Sequence, residues 1–256
     1  MYNLIKNEVI KIFAGKRMLV FMIITLVFSL LPKLEAVLGE IPLEITGQNM
    51  PLYMLNSMTN LILPIFLIIT VADMITGEYA GGTLKLSLLH PVSRTKLLTA
   101  KLISLVIPMV FLLAFAQMTG HLLGTIFFGW GEQLTFHDVS LSTGKGLLVT
   151  AGAHLVSIIP LLTFSAVILL LALQFTNTGA AVGISIGLLM TLSVLGQLAV
   201  NLRPYLLISY FEAVPKLFVT ASGHREFLTA AVVMAIYGGT SYLISIYQFS
   251  KKDILF

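Results

Sequence analysis

The sequence predicts an all-α, polytopic integral membrane protein with six transmembrane helices, and three observations carry that expectation. Of its 256 residues, 57% are apolar and only 10% charged, against roughly 45–50% apolar and about 25% charged in a soluble domain. So few charges cannot cover a surface in water, whereas a bilayer accepts an apolar exterior. Second, six stretches reach the roughly 20 apolar residues that a membrane-crossing helix needs, and they nearly fill the chain. Third, Lys and Arg are spread unevenly among the segments that join them.

In chain order the spans are expected at Met18 to Leu38, Leu52 to Ile75, Leu102 to Phe128, Leu147 to Leu173, Gly179 to Val200 and Phe227 to Phe249. Pro32, Pro64, Pro108 and Pro160 fall inside them, which a membrane helix tolerates where neighbouring helices satisfy the freed carbonyls. Six spans put both tails on one side. That side holds ten basic residues: Lys6, Lys11, Lys16, Arg17, Lys85, Arg94, Lys96, Lys101, Lys251 and Lys252. The other holds five, Lys33, Lys145, Arg203, Lys216 and Arg225, together with most of the acids. Because cytoplasmic segments carry the Lys/Arg excess, the sequence predicts a multi-pass protein of the cell membrane with both termini cytoplasmic. Gly77 to Lys101 is then cytoplasmic, and segments 39–51, 129–146 and 201–226 are external. A basic start before an apolar run can mimic a secretory signal, but no small-residue cleavage site follows and five further spans do. The first span is therefore read as retained. No repeat, low-complexity tract or flexible linker divides residues 1–256, so one transmembrane domain is expected.

Residues 1–17 precede the first span. Ile5, Val9, Ile12 and Phe13 share one helical face and Asn3, Asn7 and Lys11 the other, with Leu4 and Ile10 breaking the pattern. A basic amphipathic helix lying in the inner interface, on anionic headgroups, is the expected element. A plain charged topology anchor is the alternative.

The absence of cysteine excludes a disulfide framework, a Cys-ligated zinc or iron–sulfur site and a thiol nucleophile. The net charge of +4 reads as a topology signal, and nucleic acid is not an expected partner. No complete Gly-x-x-x-x-Gly-Lys-Ser/Thr loop occurs. The nearest string, Ser142-Thr143-Gly144-Lys145-Gly146, lacks the first glycine and has Gly146 where the Mg²⁺-binding hydroxyl belongs. Non-spanning stretches reach only about 25 residues, far below domain size, so ATP would have to be used by a separate chain. Neither Gly-x-Ser-x-Gly nor His-Glu-x-x-His is present, so the chain is not expected to be an enzyme. Ionisable groups within the spans are Asp73, His121 and His154, accompanied by Gln117, Gln174 and Gln197. Such groups are costly in lipid. His121 and His154 either relay protons or are hydrogen-bonded to a neighbouring helix or to the external mouth. No two His or carboxylates stand at i, i+3 or i, i+4 on one span, and no metal is expected.

The connection Asp73 to Arg94 is apolar yet bracketed by charge. Leu84 and Leu88 share a helical face, and Pro91 stops any helix, leaving about two turns from Thr83 to His90. So short a helix is not stable alone in water and must pack on the membrane surface or on a partner protein. Glu78, Gly82-Thr83-Leu84-Lys85, Leu88-Leu89 and Pro91-Val92-Ser93-Arg94, followed by Lys101, resemble in order the corresponding loop of the membrane subunits of type 2 ATP-binding-cassette exporters. The amphipathic start, the six spans and the closing Phe249-Ser250-Lys251-Lys252-Asp253-Ile254 are similar to that family as well. The resemblance implies a permease subunit without an ATPase site of its own. Thr83 to Leu89 would be a cytoplasmic coupling helix, entering a cleft of the ATPase with Leu84 and Leu88 as anchors. Glu78, Lys85 and Arg94 would supply contacts at its edges, and Asp73 or Glu78 would pair with Arg94 or Lys101. The implied partners are two copies of a cytoplasmic ATPase carrying ATP and Mg²⁺, a second membrane subunit (a copy of this chain or a relative) and lipid; no cofactor would bind this chain. An amphipathic or hydrophobic cargo is expected, such as a peptide antibiotic, a drug or a lipid-like compound, with an ion such as sodium open. A proton-coupled secondary transporter and a non-transporting membrane anchor are the alternatives.

Span five carries Gly179, Gly183 and Gly187 four apart, a flat groove that lets another helix approach closely. It serves either packing within the chain or the interface between two membrane subunits. Gly120 and Gly124 form a second groove, expected to be internal. Residues 201–226 mix prolines, aromatics and both charges, and form either a surface loop or, as the resemblance implies, a segment dipping back into the membrane as an external gate.

Overall fold

The computed structural model describes residues 1–38, 45–83, 93–136, 139–220 and 223–251. Among them, six helices are long and apolar enough to cross a membrane: Lys16–Leu38, Met50–Ala80, Arg94–Phe128, Thr143–Ala172, Thr178–Leu198 and Arg225–Lys251. The chain is thus a mostly helical, multi-pass membrane protein. Each expected span recurs. The second and third run further toward the tail side than expected, because hydropathy locates only the part of a helix that lies in lipid. It is blind to the polar turns, Thr76 to Ala80 and Arg94 to Lys101, that continue the same helices beyond it.

Proline positions explain where the helices break. The missing N–H and the ring of a proline act on the carbonyl four residues earlier. Accordingly, the first segment of span one ends at Phe28, ahead of Pro32, that of span three at Ser104, ahead of Pro108, and that of span four at Val156, ahead of Pro160. At each break a serine hydroxyl donates to the carbonyl three residues back: Ser29 to Leu26 at 2.6 Å, Ser104 to Lys101 at 2.7 Å and Ser157 to His154 at 2.6 Å. These bonds recover part of what the prolines remove where no water is at hand. In span two the proline instead follows a π-helical turn, Met58–Ile62, and a second π turn, Asp73–Gly77, lies near the tail-side end.

Span two occupies the centre. Of its most apolar stretch 72% is buried, against 17%, 22% and 11% for spans one, five and six. Leu63, Phe66, Leu67 and Ile68 are fully enclosed, and Phe66 meets Phe21 of span one edge to face at 5.2 Å. Span three packs so closely on span two that a Cβ at Gly120 would lie 3.0 Å from Pro51 Cα, and one at Gly124 3.0 Å from Gly47 Cα. This second glycine groove is internal, as expected.

Two connections on the side opposite the tails have structure that the sequence reading lacked. Beside the mostly helical bundle stands one short hairpin, Gln133–Phe136 paired antiparallel with Val139–Ser142, in register from Gln133↔Ser142 to Phe136↔Val139. Leu134 is buried against Gly146 at the start of span four. Four-residue strands carry too little alternation to stand out from a loop.

Residues 200–205 are exposed, whereas much of 206–220 packs against the bundle. Two 3₁₀ turns, Val200–Tyr205 and Leu207–Ser209, lead into the helix Tyr210–Thr220. Tyr237 of span six donates its hydroxyl to the Tyr205 carbonyl at 3.1 Å, about 18 Å along span six from its start at Arg225, at 1.5 Å per residue. Phe211 is fully buried and meets Phe164 of span four edge to face at 5.4 Å. From there the helix climbs back along span four, where Phe218 lies against Gly152.

Candidate functional site

On the tail side, charged residues from four helices converge. The helix Tyr2–Ala14 turns Ile5, Val9 and Ile12 inward as its apolar spacing requires, with Leu4 half-buried beside them, but the same side carries Glu8, which is buried. Phe13, expected on that face, is partly exposed and meets Phe111 of span three edge to face at 5.3 Å. Glu8 lies beside Lys101 of span three, whose ammonium is 3.1 Å from Glu8 and 2.7 Å from Glu78 at the end of span two. Lys11 completes the group, 3.1 Å from Glu8 and 2.8 Å from Glu78. Two carboxylates and two ammonium groups thus alternate, and the only one of the four substantially exposed is Lys11. Burial of the Lys11 ammonium opposes its charge, but the hydrogen bond to Glu78 and the charges of Glu8 and Glu78 outweigh it and raise its pKa above 10.5. Beside this group Arg17, at the start of span one, pairs with Asp73 at 2.5 Å.

These contacts surround both roots of the connection between spans two and three. On the span-two side the helix ends at Ala80, and Gly82 takes φ +69°, the left-handed conformation that terminates helices and suits glycine. Thr83 donates to the Glu78 carbonyl at 3.4 Å. On the span-three side Ser93 is the N-cap, its hydroxyl accepting from the Lys96 amide at 3.3 Å. Arg94 donates to the carbonyls of Phe249 at 2.9 Å and Ser250 at 3.1 Å. A cation there complements the negative end of span six. Leu84, Lys85, Leu88, Leu89, Pro91 and Val92, and with them the body of the expected coupling helix, lie outside the described residues.

Of the pairings expected around this loop, Glu78 with Lys101 is present. Asp73 pairs instead with Arg17, and Arg94 turns to the end of span six. The physical reason is distance along the bundle: Asp73 lies more than a turn before Glu78 and meets span one, while Arg94 begins a helix that runs beside span six. Glu8 was missed altogether, although an acid between Ile5 and Ile12 at helical spacing is a visible signal. An acid on the buried face of a helix requires a cation opposite it.

The remaining candidates separate clearly. Gly183 and Gly187 have no atom within 4 Å of where a Cβ would stand, and Gly179 meets only its own cap residue Asn177. Span five turns Ala181, Ser185, Leu189 and Gly196 inward, so its glycine groove faces away from the described chain. His121 Nδ1 lies 2.8 Å from the Gly47 carbonyl and His154 Nδ1 2.8 Å from Thr150 O, one turn back on its own helix. Because a carbonyl only accepts, Nδ1 carries the proton in each ring. Neither histidine is paired with a carboxylate among the described residues. No group of three or more His, Cys, Asp or Glu among the described residues is placed to hold a metal ion.

The family model described as "Protein of unknown function (DUF2705)" matches residues 19–255. A relative from Bacillus subtilis (strain 168), "Uncharacterized protein YhcI", is 28% identical over 221 residues, covering 82% of this chain and 70% of its own length.

Proposed function

The chain belongs to the DUF2705 family, its match running over residues 19–255, and from that membrane architecture we propose that it is the permease subunit of an ATP-driven exporter. In this reading it has no ATPase site and binds, through residues 78–94, a cytoplasmic ATP-binding-cassette ATPase in two copies. The observation that carries the reading is the ordered pattern Glu78, Gly82-Thr83-Leu84-Lys85, Leu88-Leu89, Pro91-Val92-Ser93-Arg94 and Lys101, and the anchorage of its two ends supports it. Glu78 is tied to span three and to the amphipathic helix, and Arg94 to the end of span six. A push on the connection would therefore move three helices together. A connection that merely joined two spans would need none of this.

With its tails in the cytoplasm of a cell membrane, the subunit would pair with a second membrane subunit, a copy or a relative, across the outward glycine groove of span five. ATP-driven closure of the two ATPases would then draw the two coupling segments together and shift a path between the membrane subunits. The cargo would be amphipathic or hydrophobic, because the bundle interior is apolar over most of its depth.

Replacing Leu84 and Leu88 together by Asp tests the docking role. Co-purification with the ATPase should be lost, because charge in an apolar cleft is expensive, while membrane insertion is unchanged. Retained co-purification would count against the role. Binding of the ATPase without stimulated hydrolysis in reconstituted membranes would favour an anchor instead.

A further inference from the structure

The side opposite the tails holds a cleft of about 830 Å³ among span two, span five, the helix Tyr210–Thr220 and the start of span six. That volume lies within the range of sites that take a small molecule, roughly 300–1,000 Å³. Asn60 of span two lines it about 15 Å from the outer end of that helix, at 1.5 Å per residue, and Ser193 of span five lines it from across. Polar side chains at such depth face a bundle interior or a water-filled space, since lipid cannot satisfy them. The π turn Met58–Ile62 contains Asn60, and Asn60 donates to the Asn56 carbonyl one turn back, so both asparagines hold to the cleft wall.

Four charged residues complete the lining: Arg203, Lys216, Glu212 and Glu226. Among the described residues none of them is ion-paired, in contrast to the tail side, where every buried charge has an opposite within 3.1 Å. An anion alone would meet two carboxylates and a cation alone two cationic groups, so the balance selects a ligand that carries both charges. On span six, Leu228 and Val232 are exposed, an apolar surface on which hydrocarbon tails would lie.

We infer that this cleft binds the headgroup of a zwitterionic, lipid-like amphiphile, with phosphate toward Arg203 and Lys216, ammonium toward Glu212 and Glu226, and tails along span six. The inference names the cargo class of the proposed exporter and rests on that reading for transport. Binding belongs to this chain alone.

Native mass spectrometry of the full-length chain, purified in detergent without any ATPase, tests it with phosphatidylethanolamine against phosphatidylglycerol, which lacks the ammonium. Retention of phosphatidylethanolamine should exceed that of phosphatidylglycerol roughly tenfold, as expected where two carboxylates accept charge-assisted hydrogen bonds from the ammonium. Glu212→Gln with Glu226→Gln should reduce that preference to within about twofold, and Arg203→Gln with Lys216→Gln should weaken both lipids roughly tenfold. All four side chains are exposed, so the variants should remain monodisperse and keep the wild-type melting temperature. Equal retention of the two lipids by the wild type, or a preference that survives Glu212→Gln with Glu226→Gln, overturns the inference. Displacement of the lipid by an equal concentration of soluble glycerophosphoethanolamine also overturns it, by assigning the site to a free zwitterion. None of these outcomes depends on ATPase docking, so the two readings fail separately.

Discussion

Lys101 shows what a single residue does in this protein. Its side chain is 1% exposed and lies between Glu8 and Glu78, themselves 6% and 13% exposed. Removing one partner from such a group leaves uncompensated charge out of water, which costs about 3–5 kcal/mol. Lys101→Ala should accordingly lower the thermal stability of the purified protein and release the amphipathic helix to proteolysis. Lys11→Ala, at the exposed edge with a side chain 53% exposed, should change stability by no more than about 1 kcal/mol. Equal effects of the two substitutions would show that burial does not distinguish them. The Lys11 pKa is raised on folding, so its contribution is fully present below pH 10.5 and is lost as pH rises through the raised value. Across neutral pH it is constant. Ile12 and Ile5 of this helix were legible as an inward face in the sequence. The buried partner of Glu8, Lys101, was not, since it lies 93 residues away.

At the scale of elements, the helix Tyr210–Thr220 depends on the absence of a side chain across from it. A Cβ at Gly152 would run into the Phe218 ring, so a larger side chain there has to push the ring, and with it the helix that carries it, aside. Gly152→Val should therefore displace the helix, at a cost of about 1–3 kcal/mol typical of overpacking, and Gly152→Val with Phe218→Ala should recover much of it. Because the chain has no cysteine, a single Thr220→Cys offers a clean reporter. Its labelling rate should rise in Gly152→Val and fall back in the combined variant; an unchanged rate would show that the helix does not rest on Gly152. Composition marked residues 201–226 as unusual, with both charges, prolines and aromatics. Whether they pack inside the bundle turns on the shape of span four, which no local pattern in 201–226 encodes.

For the molecule as a whole, the two glycine grooves have opposite fates. Gly120 and Gly124 seat span three on span two, while Gly183 and Gly187 face outward. Gly124→Leu should disrupt the fold of the single chain, seen as loss of monodisperse protein. Gly183→Leu should leave that fold intact and, if span five joins two membrane subunits, convert dimer to monomer in light scattering of the detergent complex. A dimer that survives Gly183→Leu would move the interface elsewhere.

The sequence by itself determined the number of spans, the common side of the tails and the places where helices break. Removing apolar residues from water is a sum over neighbours along the chain, and a proline acts on a carbonyl four residues away. Tertiary structure alone decided which charges meet on the tail side, that residues 206–220 pack against the bundle, and which glycine stripe stays uncovered. Those outcomes depend on distances between residues remote in sequence, and both Coulomb attraction and side-chain packing vanish unless the fold brings their partners within a few ångströms.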